Sequence, residues 1–175
     1  MKTYIFIPPV KRPVGGVAVL YQIASHLSSA GFEVFLVPRE GHGPSRPQGA
    51  ESLPEVRWRD LALGGEDLWL APEGWVNALA PGLKAGARCL VYCQNWAYLF
   101  SALPAEVDWR MLKVSFLAVS QPVAWFIEKT TGARCPICGP GWTSPFSGRR
   151  IKSRPGLSAS PTCPARTRSW SSRSR

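Results

Sequence analysis

The stretch TYIFIPPVKRPVGGVAVLYQIASHLSSAGFEVFLVP, residues 3–38, decides the fold. Its opening, TYIFIPP, is a β-rich apolar run closed by Pro8 and Pro9, the pattern of a buried strand. VKRPVGG follows as a glycine-containing loop. From Val17 to Ala30 the apolar residues Leu20, Ile23, Ala24 and Leu27 recur at helical spacing. Gln22, Ser25, His26 and Ser29 fall on the other faces, and Gly31 stands where a helix would stop. Glu33 to Val37 is a second β-rich run. Strand, glycine loop, helix and strand in this order specify a right-handed crossover between parallel strands.

The same alternation continues downstream. Residues 39–55 are rich in Gly, Pro, Ser and charge, have no apolar period, and read as a long loop. Val56 to Trp58 reads as a short third strand and DLWLAPE, 67–73, as a firmer one. GWVNALAPGLKAG is weakly helical and broken by Pro81. RCLVYCQN (88–95) and VSFLAVS (114–120) are strands separated by WAYLFSALP, and QPVAWFIEKTTG is a helix with Val123, Phe126 and Ile127 on one face and Gly132 at its end. CPICGPGW reads as a last short strand and turn. The expected fold is therefore α/β, a Rossmann-like, doubly wound and mainly parallel sheet, over residues 1–142.

After Trp142 the character changes. Residues 143–175 are dominated by Ser, Arg and Pro, with large apolar residues too sparse to offset the entropy of ordering, so a disordered tail is expected. The net charge of +10 resides there: residues 1–148 hold 13 Lys and Arg against 11 Asp and Glu, and residues 149–175 hold 8 cations and no acid. A basic arm binding anions, and a stretch translated out of frame in a GC-rich gene, both fit this composition. The absence of acids and the abrupt change favour the second. Anion binding by the tail would then be weak, and the DNA downstream of the Gly141 codon, read in all frames, separates the two.

No apolar run is long enough for a membrane span, and the N-terminus lacks the apolar core of a signal peptide. The expected location is cytoplasmic, including attachment at the inner face of the membrane. Five cysteines without a secretory signal are expected to be reduced thiols. The pairs Cys89/Cys93 and Cys135/Cys138 have a spacing that zinc could use, but both lie in apolar strand-like runs where small buried cysteines are common, and no metal is expected.

In a doubly wound sheet, ligands bind beyond the carboxyl ends of the strands. The candidates there are Gly15 and Gly16 after the first strand, Glu73 after Ala71, Gln94, Asn95 and Trp96 after Tyr92, and Ser120 and Gln121 after Val119. Paired glycines let a backbone approach a ligand at a helix start, or simply make a tight turn; the spacing is not that of a dinucleotide fingerprint. Gln and Asn amides both donate and accept, as sugar hydroxyls require, and Trp96 or Tyr98 could stack on a sugar face. Against this, Ser120 reads as a helix N-cap, and Glu73 as a solvated charge or a cap. His42, in the long loop, is a weak catalytic candidate, and His26 belongs to the surface.

These residues carry a resemblance. GGVAVLYQIASHLSSAGFEVFLV (15–37) resembles the N-terminal signature of the glycosyltransferase group 1 families, and LAVSQPVAWFIEKTTG with the later GPG resembles the segment that ends their first lobe. LAPEGW and VYCQNW match the strand ends between. The resemblance covers about 140 residues at the level of motifs. It implies a GT-B architecture, with two Rossmann-like lobes, a nucleotide-sugar as co-substrate with no tightly bound cofactor, and a glycan, lipid or other acceptor. It places Gly15 and Gly16 near the donor phosphates and Gln94 and Asn95 on the acceptor side. Gln94, Asn95 and Trp96 stand where such enzymes often have a histidine, and nothing in residues 1–175 resembles the second, donor-binding lobe. A chain of this extent is expected to be an incomplete transferase, inactive by itself. The alternative is a non-enzymatic Rossmann-like module whose basic tail binds nucleic acid or another anion; such binding would weaken steeply between about 50 and 200 mM salt.

Overall fold

The computed structural model describes residues 1–10, 15–39, 46, 47 and 49–138. Five strands form one sheet: β1 (Thr3–Ile7), β2 (Val34–Pro38), β3 (Leu68–Pro72), β4 (Arg88–Cys93) and β5 (Val114–Ala118). Their order is β2-β1-β3-β4-β5 and every pairing is parallel. The connections are α1 (Gly16–Ser29), α2 (Ala80–Ala85) and α3 (Ala97–Ser101), and α4 (Gln121–Thr131) follows β5. This is the Rossmann-like α/β fold that the alternation of strands and helices predicts.

Side chains alternate across each strand, and the helices divide accordingly. Tyr4, Phe6, Trp69, Cys89, Val91 and Phe116 point to one face, where Ala78, Leu79 and Leu99 and, from α4, Val123, Ala124 and Ile127 cover them. Two buried indoles are satisfied there: Trp69 Nε1 donates to the carbonyl of Ala78 and Trp109 Nε1 to that of Leu99, each at 2.8 Å. Ile5, Ile7, Val34, Leu36 and Leu70 point to the other face, against Leu20, Tyr21 and Ala24 of α1. Leu20 is buried and Ile23 and Leu27 are half-buried, so the apolar stripe of α1 lies against the sheet.

Three readings of the sequence are corrected. Val56–Trp58 is not a strand: a single parallel bridge joins Glu55 to Leu36, and the chain then turns through a 3₁₀ segment, Trp58–Asp60. The reason is Trp58, which packs 5.6 Å from Phe6 and 6.0 Å from Trp69, ring centre to ring centre, and so leaves the sheet edge to cover its face. Pro81 does not break a helix but stands in the first turn of α2, where no backbone N–H is required of it. In CPICGPGW, Ile137 forms one isolated bridge to Ala118 rather than a strand, and residues 139–142 lie outside the described residues. The expected boundary at 142 and the tail 143–175 lie outside them as well.

Candidate functional site

The strand order reverses between β1 and β3, since the chain leaves β1 toward β2 and returns to the other side. Parallel sheets open a crevice at such a point, beyond the carboxyl ends of the strands. A cavity of about 450 Å³ lies there, within the usual range for small-molecule sites. Pro8 follows β1, Glu73, Gly74 and Trp75 follow β3, and Gln94, Asn95 and Tyr98 follow β4; Gly16, Val17 and Leu20 contribute from α1.

The first glycine of the pair is required by conformation and the second by space. Gly15 precedes α1 with φ 55° and ψ −122°, a backbone that L side chains rarely adopt. At Gly16 a Cβ atom would stand 2.7 Å from the Gln94 side-chain amide, so Gln94 reaches its position only because Gly16 has no side chain. From there Gln94 Nε2 donates to the Gly16 carbonyl at 3.1 Å, joining the end of β4 to the start of α1.

Glu73 is the buried charge of the site, only 5% exposed. Its Oε1 accepts from the Asn95 backbone N–H at 2.8 Å, while Asn95 Oδ1 accepts from the Ala97 N–H at 3.0 Å. Glu73 thus holds the turn that enters α3, and is neither a solvated loop charge nor a cap of the helix following it in sequence. Burial raises the Glu73 pKa above the ordinary carboxyl value, with backbone N–H groups of Glu73, Asn95 and Gln94 acting in the opposite direction. The carboxyl therefore keeps its proton to higher pH than a solvated glutamate does.

Of the residues marked in the sequence, Gly16, Glu73, Gln94 and Asn95 meet in this cavity. Gly15 adjoins it. Trp96 does not line it: the exposed indole packs 5.2 Å from Phe126 of α4. Ser120 occupies the N-cap position of α4 but its hydroxyl makes no capping hydrogen bond, and Gln121 is exposed in the first turn; neither lines the cavity. His42 lies outside the described residues. Trp75, which sequence reasoning did not single out, joins Tyr98 as an aromatic lining residue. Its place after a strand at the switch point was the available signal.

Three of the described cysteines belong to the core. Cys89, Cys93 and Cys135 are buried, and burial raises all three thiol pKa values, that of Cys135 to about 11. Among the described residues no group of three His, Cys, Asp or Glu side chains converges as metal ligands would. No helix among them is long and apolar enough to cross a membrane.

With the geometry in place, the fold class is that of a parallel, Rossmann-like α/β protein with a crevice at its switch point. Comparison with protein-family models, curated proteins and solved structures finds no match to this chain.

Proposed function

We propose that this chain is the acceptor-side lobe of a glycosyltransferase, which carries a sugar from a nucleotide-sugar to a glycan, lipid or other acceptor. One observation supports the reading above the rest: four residues marked by sequence reasoning, Gly16, Glu73, Gln94 and Asn95, share a single cavity at the switch point with two aromatic side chains, Trp75 and Tyr98. Amide and carboxyl groups suit sugar hydroxyls, and aromatic faces suit the C–H surface of a pyranose ring. The donor lobe would close over this edge of the sheet and complete the transfer site. The fold alone supports no particular activity, so the reading rests on the site and on the motif resemblance.

The test is carbohydrate binding by the full chain. Saturation-transfer NMR with methyl glycosides of glucose, galactose and mannose should detect at least one ligand, and Asn95→Ala combined with Tyr98→Ala should abolish the signal while leaving the circular dichroism spectrum intact. Absence of binding by every glycoside would remove the reading. Hydrolysis or transfer of a nucleotide-sugar by this chain alone is not expected, and measurable turnover would overturn the division of labour between lobes.

A further inference from the structure

The face of the sheet beneath α1 carries a hollow of its own, apart from the cavity at the switch point. A groove of about 360 Å³ runs between α1 and the sheet, with Ile23 and Leu27 on one wall and Leu70, Leu90 and Leu117 on the other. Leu68, Leu90 and Leu117, one from each of β3, β4 and β5, are only half-buried, so the floor is aliphatic along all three strands. Gln22 and His26 add polar groups on the helical wall. Tyr92 bounds the groove at the carboxyl end of β4; its hydroxyl donates to the Cys138 carbonyl at 3.1 Å, so its own O–H donor is spent.

At its other end the groove meets charge. A hollow of about 450 Å³ at the amino ends of β4 and β5 is lined by Arg88, Lys113 and Ser115, and it shares Leu68 and Leu90 with the groove. The strand register explains the junction. Leu90 pairs with Ser115 and Tyr92 with Leu117, and alternation sends Arg88, Leu90 and Tyr92 to the same face of β4. From Arg88 to Tyr92 the strand covers about 13 Å, so an aliphatic floor lies between a cationic mouth and an aromatic end. Arg88 is paired with Glu66 at 3.1 Å, but both side chains are well exposed, and such a pair leaves guanidinium donors for a further acceptor. Asp67, at the same end of the sheet, is engaged by the backbone N–H groups of Lys2 and Gly64. Glu66 thus balances one cation of the mouth, and Lys113 supplies a second.

We propose that groove and mouth form one site for a fatty carboxylate, its aliphatic chain lying between α1 and the leucines of β3, β4 and β5 and its carboxylate held by Arg88 and Lys113. The groove accounts for the chain, because burying methylene groups against Ile23, Leu27, Leu90 and Leu117 is favourable whatever the head group. The cations select the head, because only an anion adds charge-assisted hydrogen bonds to that burial, and a guanidinium fork matches the two oxygens of a carboxylate. The site goes beyond the sugar-transfer reading and does not rest on it.

The test titrates decanoate, decanol and decyltrimethylammonium, each below its micelle concentration, into the full chain by isothermal titration calorimetry at neutral pH. Decanoate should bind at one site per chain and about tenfold tighter than decanol, the ratio that one charge-assisted hydrogen bond gives, with decyltrimethylammonium the weakest. Methyl glucoside should not displace decanoate, which separates this site from the cavity at the switch point. The double variant Arg88→Glu with Lys113→Glu, changed at two exposed positions, should reverse the order of the two ions and leave decanol unchanged. Leu117→Trp should fill the groove and abolish binding of all three; should that variant fail to fold, the charge reversal decides. Equal affinity for the three probes would reduce the site to a non-specific apolar surface, and tighter binding of decyl phosphate than of decanoate would remove the carboxylate. No binding of decanoate by a chain that sediments as a monomer would mean that another segment of the chain fills the groove, and a dimer that decanoate fails to dissociate would give the face to a second copy. Each of these results overturns the proposal.

Discussion

Two of the concavities that the described residues form on this sheet differ in origin as much as in lining. The cavity beyond the carboxyl ends of β1, β3 and β4 is edged by Glu73, Gln94 and Asn95. On the face beneath α1, a groove of about 360 Å³ is lined by Ile23 and Leu27 of the helix and by Leu70, Leu90, Tyr92 and Leu117 of the sheet. Leu70 and Glu73 stand three residues apart in one strand and its exit, yet serve different regions. Strand residues are committed by period-two alternation to a packing face. Those that follow the strand are released from it and take their positions from hydrogen bonds such as the one the Asn95 N–H donates to Glu73.

The groove follows from topology. The step from β1 to β2 and the steps from β3 toward β5 run in opposite directions across the sheet, so crossovers of one hand place their helices on opposite faces. Among the described residues α1 is the helix packed on its face, and it covers chiefly β1 and β2. Leu68, Leu90 and Leu117, from the far strands, remain half-buried. The apolar groove is thus a product of chain order, whereas the polar cavity depends on particular side chains.

The sharpest way to test this separation is Leu70→Ala. Leu70 is 2% exposed and belongs to the core beneath α1. Truncation should destabilise the chain by about 3 kcal/mol, within the range for buried leucines. Denaturant unfolding reads the loss, and methyl glucoside binding by the folded fraction should be unchanged. A loss below about 1 kcal/mol would mean that the groove wall is already open to water. Gly15→Ala comes next. Its backbone at φ 55° and ψ −122° should cost about 2 kcal/mol with an alanine in place. Unlike the first variant, it should also weaken ligand binding, because it strains the turn into α1 beside the cavity.

The stretch 3–38 was legible because two periods and one glycine turn agree in it, and β1, α1 and β2 follow with boundaries within a residue or so. Trp58 was not legible as a turn, since its local run has the composition of a strand and only Phe6 and Trp69, distant in sequence, draw it away. At the site, the rule of carboxyl ends marked too many residues. Ser120 and Gln121 do follow β5, but the crevice opens where the strand order reverses, and that order is a property of the assembled sheet. Which aromatic side chain faces the cavity was hidden for a related reason: Trp96 and Tyr98 are two residues apart at the start of α3, and packing on Phe126 takes Trp96 the other way. The burial of Glu73 was masked by its neighbours, because PEGW reads locally as an exposed turn.

That burial yields a smaller effect whose size depends on pH. Glu73 has its pKa raised in the folded chain by loss of solvent. The folded state binds this proton more tightly than the unfolded state, so its stabilising effect is complete below the unfolded glutamate pKa and is lost as pH rises through the folded value. Glu73→Gln retains an oxygen to accept from Asn95 and removes the buried charge. It should therefore raise the Tm by a few degrees at pH 8, and the gain should vanish near pH 4. Thermal unfolding monitored by circular dichroism at the two pH values gives the comparison, and a Tm gain that is the same at both would show that charge burial is not its source.

The smallest expected change in stability accompanies a complete change at the cavity. Gly16 is the first residue of α1 and is not among the glycines with positive φ, so alanine there gains helix propensity of up to about 1 kcal/mol. The same Cβ displaces Gln94, whose hydrogen bond to the Gly16 carbonyl contributes about 1 kcal/mol. The two terms oppose, and Gly16→Ala should unfold within about 0.5 kcal/mol of the wild type. Binding should not show this cancellation, because Gln94 loses both its anchor and its place in the lining. A variant with native stability and no glycoside signal would show that the glycine is held for the cavity rather than for the fold. Native binding would instead mean that Gln94 finds a second position without cost, and that the cavity does not depend on the close approach of β4 to α1.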